Sequence, residues 1–289
     1  MLHFRVGNLL SKSVRLPRLT AAGPVRSRDR RNMCGLVAAI DDVWSPGSAA
    51  LARSDGSVPI LDDREALRRT TRILDHRGPD GYQISTGTIG EGGKDQTHRP
   101  ARWSMGHTRL AIVDPSNRFA DMPFNLKFPA TEPGAVNGEV GEKIVHLAAN
   151  GEIYNHESVY KTMVERDGWE RERVSGSDCE VIAHAYAKYG GPKTAAMLDG
   201  MFAFVVFEEC EKTGKVNCFA ARDPVGIKPL YYGRTAGANS DDPAAYVFSS
   251  ELKALVDHAD PETVVAIPPG HYWTPEGGLV CYYNPEWLR

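Results

Sequence analysis

Short apolar runs alternate with long polar stretches along this chain, and the spacing inside each run separates strand from helix. Leu36-Val37-Ala38-Ala39-Ile40 reads as a buried strand. The polar, Gly/Ser/Pro-rich stretch 41–59 reads as a solvent loop. Residues 62–77 then turn helical, because Leu67, Thr70, Thr71 and Leu74 fall on one face, Asp62 and Asp63 stand at the start and Gly78-Pro79 stops the helix. His76-Arg77-Gly78-Pro79-Asp80-Gly81 follows as a tight, charged turn. Two more polar stretches, 87–100 and 127–142, read as surface loops between strands. Strand-type runs are predicted at 109–113, 144–149, 201–207, 216–221, 230–232 and 246–249. A helix is predicted over 155–166, and a second one starts at Ser177-Asp178-Cys179-Glu180, where Ser177 caps and Glu180 reaches back. Val181, Ile182, Ala185, Tyr186 and Tyr189 give that helix an apolar stripe. Hairpin-rich strands with a few helices between them indicate an α+β domain rather than a doubly wound fold.

Composition narrows the class. The chain has 289 residues, 42% hydrophobic and 25% charged, and no apolar run approaches the roughly 18 residues that span a bilayer. Charge is uneven: residues 1–33 carry eight basic groups against Asp29 alone, so that segment is +7 and the remainder of the net −3 chain is −10. An acidic body without Lys/Arg stripes interleaved with aromatics excludes nonspecific nucleic-acid binding. The basic segment has the composition of an organellar transit peptide; the alternative, a start codon placed too far upstream with Met33 the true initiator, also explains why Cys34 directly follows a methionine. The corresponding locations are mitochondrial and cytoplasmic. Five cysteines, at 34, 179, 210, 218 and 281, form no C-x-x-C pair and no zinc-site spacing, so no metal is expected and the thiols read as reduced.

Met33-Cys34-Gly35 carries the first candidate chemistry. Removing Met33 places a thiol and a free α-amine on one carbon, and an α-amine with a pKa of about 7.7–8.0 is a base near neutral pH. The alternative is a buried, inert cysteine. Arg109, behind Gly106-His107-Thr108, either clamps a substrate carboxylate or forms an ion pair with Asp114 or Asp80. Asn150-Gly151-Glu152 either ends a strand with an oxyanion hole or makes an Asn-Gly turn. Asp178 either pairs with a substrate ammonium or complements a helix dipole. Residues 222–229 read as a charged turn with the single Gly226, and the chain has no phosphate-cradling G-x-x-x-x-G-K-[ST] loop.

In order, MCGLVAAI, HRGPDG, GHTRLAIVD, NGEIYNH, SGSDCE, LDGMFAFVVF, ARDPVGIKPLYYG and SSELKAL resemble the type 2 glutamine amidotransferase domain of glutamine-dependent asparagine synthetases. The resemblance implies a four-layer αββα sandwich of the N-terminal nucleophile hydrolase class over residues 34–255, preceded by the basic leader. It implies that Cys34 attacks the side-chain amide of L-glutamine while its α-amine moves the proton through a water. Asn150 and the N–H of Gly151 would hold the oxyanion. Arg109 would bind the α-carboxylate within the segment Arg109, Leu110, Ala111, Ile112 and Val113, and Asp178 and Glu152 the α-ammonium. Glutamate and ammonia are the expected products, without a cofactor; ATP and Mg²⁺ belong to the synthetase domain, whose S-G-G-L-D-S-like loop is not found here. Residues 256–289 resemble the start of the linker toward that domain, with an exposed Tyr/Trp-rich stretch at 271–287 as the expected docking point for a separate synthetase subunit. The contrasting expectation is a catalytically silent regulatory module, if the leader stays attached to Cys34.

Overall fold

A computed structural model describes residues 33–41, 61, 63–89, 101–130, 141–210, 216–235 and 245–286. Residues 1–32 of the basic leader and 42–59 of the loop predicted at 41–59 lie outside the described residues, while Asp41 belongs to the first strand. The remainder is built on two antiparallel six-stranded sheets. In chain order the strands are β1 (Gly35–Asp41), β2 (Gly81–Ile89), β3 (Ala101–Arg109), β4 (Phe124–Ala130), β5 (Gly141–Ile153), β6 (Gly200–Cys210), β7 (Val216–Arg222), β8 (Tyr231–Arg234), β9 (Ala245–Ser249), β10 (Val265–Ala266), β11 (His271–Thr274) and β12 (Gly278–Cys281). One sheet has the order β10-β8-β9-β1-β3-β2 and the other β12-β11-β7-β6-β5-β4. The helices are α1 (Arg64–Arg72), α2 (His156–Glu165), α3 (Glu180–Tyr189) and α4 (Gly191–Met197).

The continuous apolar runs have a direct physical explanation: each central strand is covered on both faces. Leu36, Ala38 and Ile40 of β1 point at the other sheet and meet Ala203, Val205 and Phe207 of β6. Val37 and Ala39 point the opposite way, toward Leu67 of α1. On β6 the alternate set Phe202, Phe204 and Val206 packs with Val181, Ile182 and Ala185 of α3. The result is helix, sheet, sheet, helix, the αββα sandwich that the motifs imply. His107 of β3 joins the two sheets by donating from Nε2 to the Ala149 carbonyl at 2.9 Å, and burial pushes the pKa of this imidazole down to about 4.

Several sequence expectations are corrected here. Residues 110–113 are not a strand: β3 ends at Arg109, because its pairing partner β2 begins at Gly81 opposite that residue. Strand β3 forms where no element is predicted before residue 109, and β2 and β4 extend into the predicted loops at 87–100 and 127–142; β2 is an edge strand with an exposed face, so it carries little apolar signal. Helix α1 is shorter than predicted and is capped by Asp63, whose carboxylate accepts the Glu65 N–H at 2.8 Å. In the stretch 271–287, expected to be exposed, Tyr283 is exposed and Trp287 lies outside the described residues, but the other aromatics are covered. Trp273 is buried between the sheets, and Tyr272 and Tyr282 pack on the helix-side core, because β11 pairs with β7.

Candidate active site

The ends of β1, β3 and β5 and the turn before α3 converge on one pocket with about 500 Å³ of empty space, its mouth included. Its lining contains Cys34, Arg109, Leu110, Ile112, Val113, Asn150, Gly151, Glu152 and Asp178. Of the residues singled out in the sequence, Ala111 is not part of the lining. Its N–H is instead held by the Asp80 carboxylate at 2.9 Å, which fixes the backbone between two lining residues.

Cys34 stands immediately before β1. Its Sγ accepts the Leu110 N–H at 3.3 Å, and its carbonyl accepts Nε of Arg77 at 2.9 Å. Arg77 is aligned from behind by Glu251, whose Oε1 accepts Nη1 at 2.8 Å. Burial raises the thiol pKa, opposed by the Leu110 N–H and by the positive charges of Lys228 and Arg109. A neutral thiol poised beside a hydrogen-bond donor and two cations is one whose ionisation the site assists.

Asn150 is fully buried, and neither Oδ1 nor Nδ2 has a hydrogen-bond partner among the described residues. Buried side-chain amides are ordinarily paired, so two orphaned atoms aimed at a pocket mark a place for a ligand. Gly151 follows because only glycine fits: a Cβ there would lie 2.1 Å from the Met201 carbonyl oxygen. The backbone of β5 therefore runs against β6 at the point where it meets the pocket. An Asn-Gly hairpin turn is ruled out, since both residues are strand positions paired with Ala203 and Phe202.

Around the rest of the wall, carboxylates organise backbone. Asp178 is nearly buried, and its Oδ2 accepts the Ile153 N–H at 2.7 Å. It does not serve as a first-turn helix residue, because α3 begins only at Glu180. The predicted capping box is also corrected: Ser177 makes no side-chain cap. Glu180 reaches instead to the N–H groups of Val174 at 2.6 Å and Ser175 at 2.8 Å, folding the preceding turn back over the helix start. Arg109 pairs with neither Asp114 nor Asp80 but with Asp121, at 2.7 Å. It also donates to the carbonyls of Val113 and Asp114, at 3.1 and 2.7 Å. Asp114, in the left-handed region at φ 50°, accepts the Gly176 N–H at 2.8 Å and so ties this segment to the turn before α3.

A sequence model described as a glutamine amidotransferase domain matches residues 55–269. The chain belongs to this family. The amidotransferase is 35% identical over 257 residues to a glutamine-hydrolyzing asparagine synthetase from Zea mays and 36% identical over 257 residues to one from Oryza sativa subsp. japonica. Each alignment covers 89% of this chain and 33% of the relative, so the chain spans about a third of the length of the curated relatives it matches. An alignment of that length in a 289-residue chain necessarily includes Cys34. In fold, the amidotransferase resembles the glutamine phosphoribosylpyrophosphate amidotransferase of B. subtilis, solved with ADP and GMP, with a TM-score of 0.52 and 22% identity over 87% of this chain and 50% of that one.

Sequence reasoning missed two lining or anchoring groups of the amidotransferase. Lys228 lies in the pocket wall, although its segment reads as an ordinary charged loop. Glu251 anchors Arg77 across a separation of 174 positions, a distance at which no local pattern exists. Among the described residues no helix is long and apolar enough to cross a membrane, and no group of His, Cys, Asp and Glu has the arrangement of a metal site.

Proposed function

We propose that this domain hydrolyses L-glutamine to glutamate and ammonia, with Cys34 as nucleophile, and that it serves as the glutaminase half of an asparagine synthetase. The observation that carries this reading is the orphaned amide of Asn150 in the same pocket wall as a hydrogen-bonded thiol. With Met33 removed, the α-amine of Cys34 takes the thiol proton through a water. The thiolate attacks the side-chain carbonyl carbon of glutamine. Asn150 Nδ2 and the Gly151 N–H receive the oxyanion, and donors preorganised in this way do more than any other group to lower the barrier of acyl transfer. Collapse expels ammonia, which takes the proton from the α-ammonium, and water then cleaves the thioester to release glutamate.

Substrate selection follows from the wall. Asp178 and Glu152 present negative charge to an α-ammonium, while the Arg109 guanidinium, held by its own loop in the pocket wall, offers positive charge to the α-carboxylate. No cofactor is required for this half-reaction. ATP, Mg²⁺ and the ammonia acceptor belong with a synthetase domain or subunit, and the unpaired cysteines at 34, 179, 218 and 281 suit a cytoplasmic setting.

Purified protein beginning at Cys34 should release glutamate and ammonia in equal amounts from glutamine. Cys34→Ala should abolish both, leaving the melting temperature unchanged, since one thiol at a pocket wall contributes little packing. A Cys34→Ala protein that retains the wild-type rate refutes the assignment. Mass spectrometry of protein from its host should find Cys34 with a free amine; residues 1–33 still attached would leave the silent module as the correct reading.

A further inference from the structure

One cation in the pocket has no part in the chemistry above. Lys228 is 4% exposed and lines the pocket with Cys34 and Glu152, and its ammonium makes no hydrogen bond to any described residue. Its backbone is secured by other means. The Lys228 N–H donates to Asp223 Oδ2 at 3.0 Å, and its carbonyl accepts Nε of Arg222 at 2.8 Å. Asp223 Oδ1 additionally accepts the N–H groups of Val225, Gly226 and Ile227, at 3.0, 2.6 and 3.0 Å. The loop is thus built as a rigid holder whose geometry does not depend on the lysine side chain.

An ammonium that opens onto the pocket and has no hydrogen bond to the described protein is placed to meet an anion there. Glu152 and ionised Cys34, which line the same pocket, are the candidates, since the Asp223 carboxylate is already taken up by five backbone N–H groups; burial lowers the Lys228 pKa, and the charges of Cys34 and Glu152 oppose that shift. A substrate carboxylate fits less well. In the proposed clamp the α-carboxylate already has its cation in Arg109, which leaves Lys228 for the sulfur.

We propose that Lys228 is a positioning residue that holds the Cys34 side chain as a thiolate facing the substrate, by pairing its ammonium with the sulfur across the pocket. Ionisation breaks the S–H bond, the proton passes to the α-amine of Cys34, and Lys228 keeps its own protons throughout. The inference builds on Cys34 as nucleophile, but its first test needs no glutamine.

The rate at which iodoacetamide alkylates Cys34 is measured against pH on protein beginning at Cys34, with the Cys34 peptide followed by mass spectrometry to separate it from the other cysteines. Lys228→Met should move the midpoint of that profile upward by about half a pH unit or more, as loss of a nearby opposite charge does. Lys228→Gln should do the same, and Lys228→Arg should overlay the wild type. In glutamine hydrolysis the neutral variants should lower kcat with KM unchanged. Unchanged midpoints in both neutral variants overturn the proposal, and so does an arginine variant that shifts as far as they do, because that marks a steric role. A shifted midpoint in a protein that never hydrolyses glutamine upholds this pairing and refutes the glutaminase reading instead.

Discussion

Asn150 and Asp223 stand two strands apart at the same level of one sheet, since Asn150 pairs with Ala203 and Ala203 with Arg222, the residue before Asp223. Both are fully buried and polar. Asp223 accepts from five backbone N–H groups, those of Phe202, Val225, Gly226, Ile227 and Lys228. Asn150 makes no side-chain hydrogen bond to any described residue. The contrast separates structure from function within one sheet: a saturated buried group holds the fold, whereas an unsaturated one has its partner supplied from outside.

The sharpest way to break that comparison is to damage each side and read both stability and turnover. Asp223→Asn presents an NH₂ toward donors that now meet an oxygen, and it should cost about 3–5 kcal/mol of folding free energy, measured by urea unfolding. Asn150→Ala should cost less than about 0.5 kcal/mol of stability, having no internal bond to lose, and should lower kcat about a hundredfold. Equal stability losses in the two variants would erase the distinction.

Asp178 tests the intermediate case, a carboxylate with one oxygen on the Ile153 N–H and a place in the pocket lining. Asp178→Asn should weaken glutamine binding by about 1.5–3 kcal/mol, seen in KM, and leave kcat within a few fold. A change confined to kcat would place Asp178 with Asn150 rather than with the substrate clamp.

The smallest effect concerns the anchor behind Cys34. Burial alone would raise the Glu251 carboxyl, but hydrogen bonds from Arg77, His76 and Lys253 outweigh it and bring the pKa down to about 2. For an acid with a depressed folded-state pKa, the stabilisation is present above the ordinary value of 4.5 and is lost as pH falls toward about 2. The stability difference between wild type and Glu251→Gln should therefore be full at pH 7 and close over that acid window in urea titrations. A difference independent of pH would mean that shape, and not charge, holds Arg77.

Much of the sandwich was legible from one dimension because central strands covered on both faces leave continuous apolar runs, as at 36–40 and 201–207. Strands β2 and β4 were not legible, since edge strands are half exposed and their polar residues read as loop. The motifs singled out Cys34, Arg109, Asn150, Gly151, Glu152 and Asp178, because each stands at a strand end or helix start where local chemistry is unusual. The residues in order therefore show which side chains are available and where covered central strands such as β1 and β6 run, but not where β2, β3 and β4 run.

Only the tertiary structure decided what each side chain does. Arg109 ties down its own loop through Asp121, Ala111 leaves the lining, Glu180 folds a turn instead of capping with Ser177, and Lys228 enters the pocket beside Cys34. The physical reason is that hydrogen bonds and charges act over a few ångströms, and the partners involved here, such as Cys34 with Leu110 or Arg77 with Glu251, are 76 and 174 positions apart in the chain.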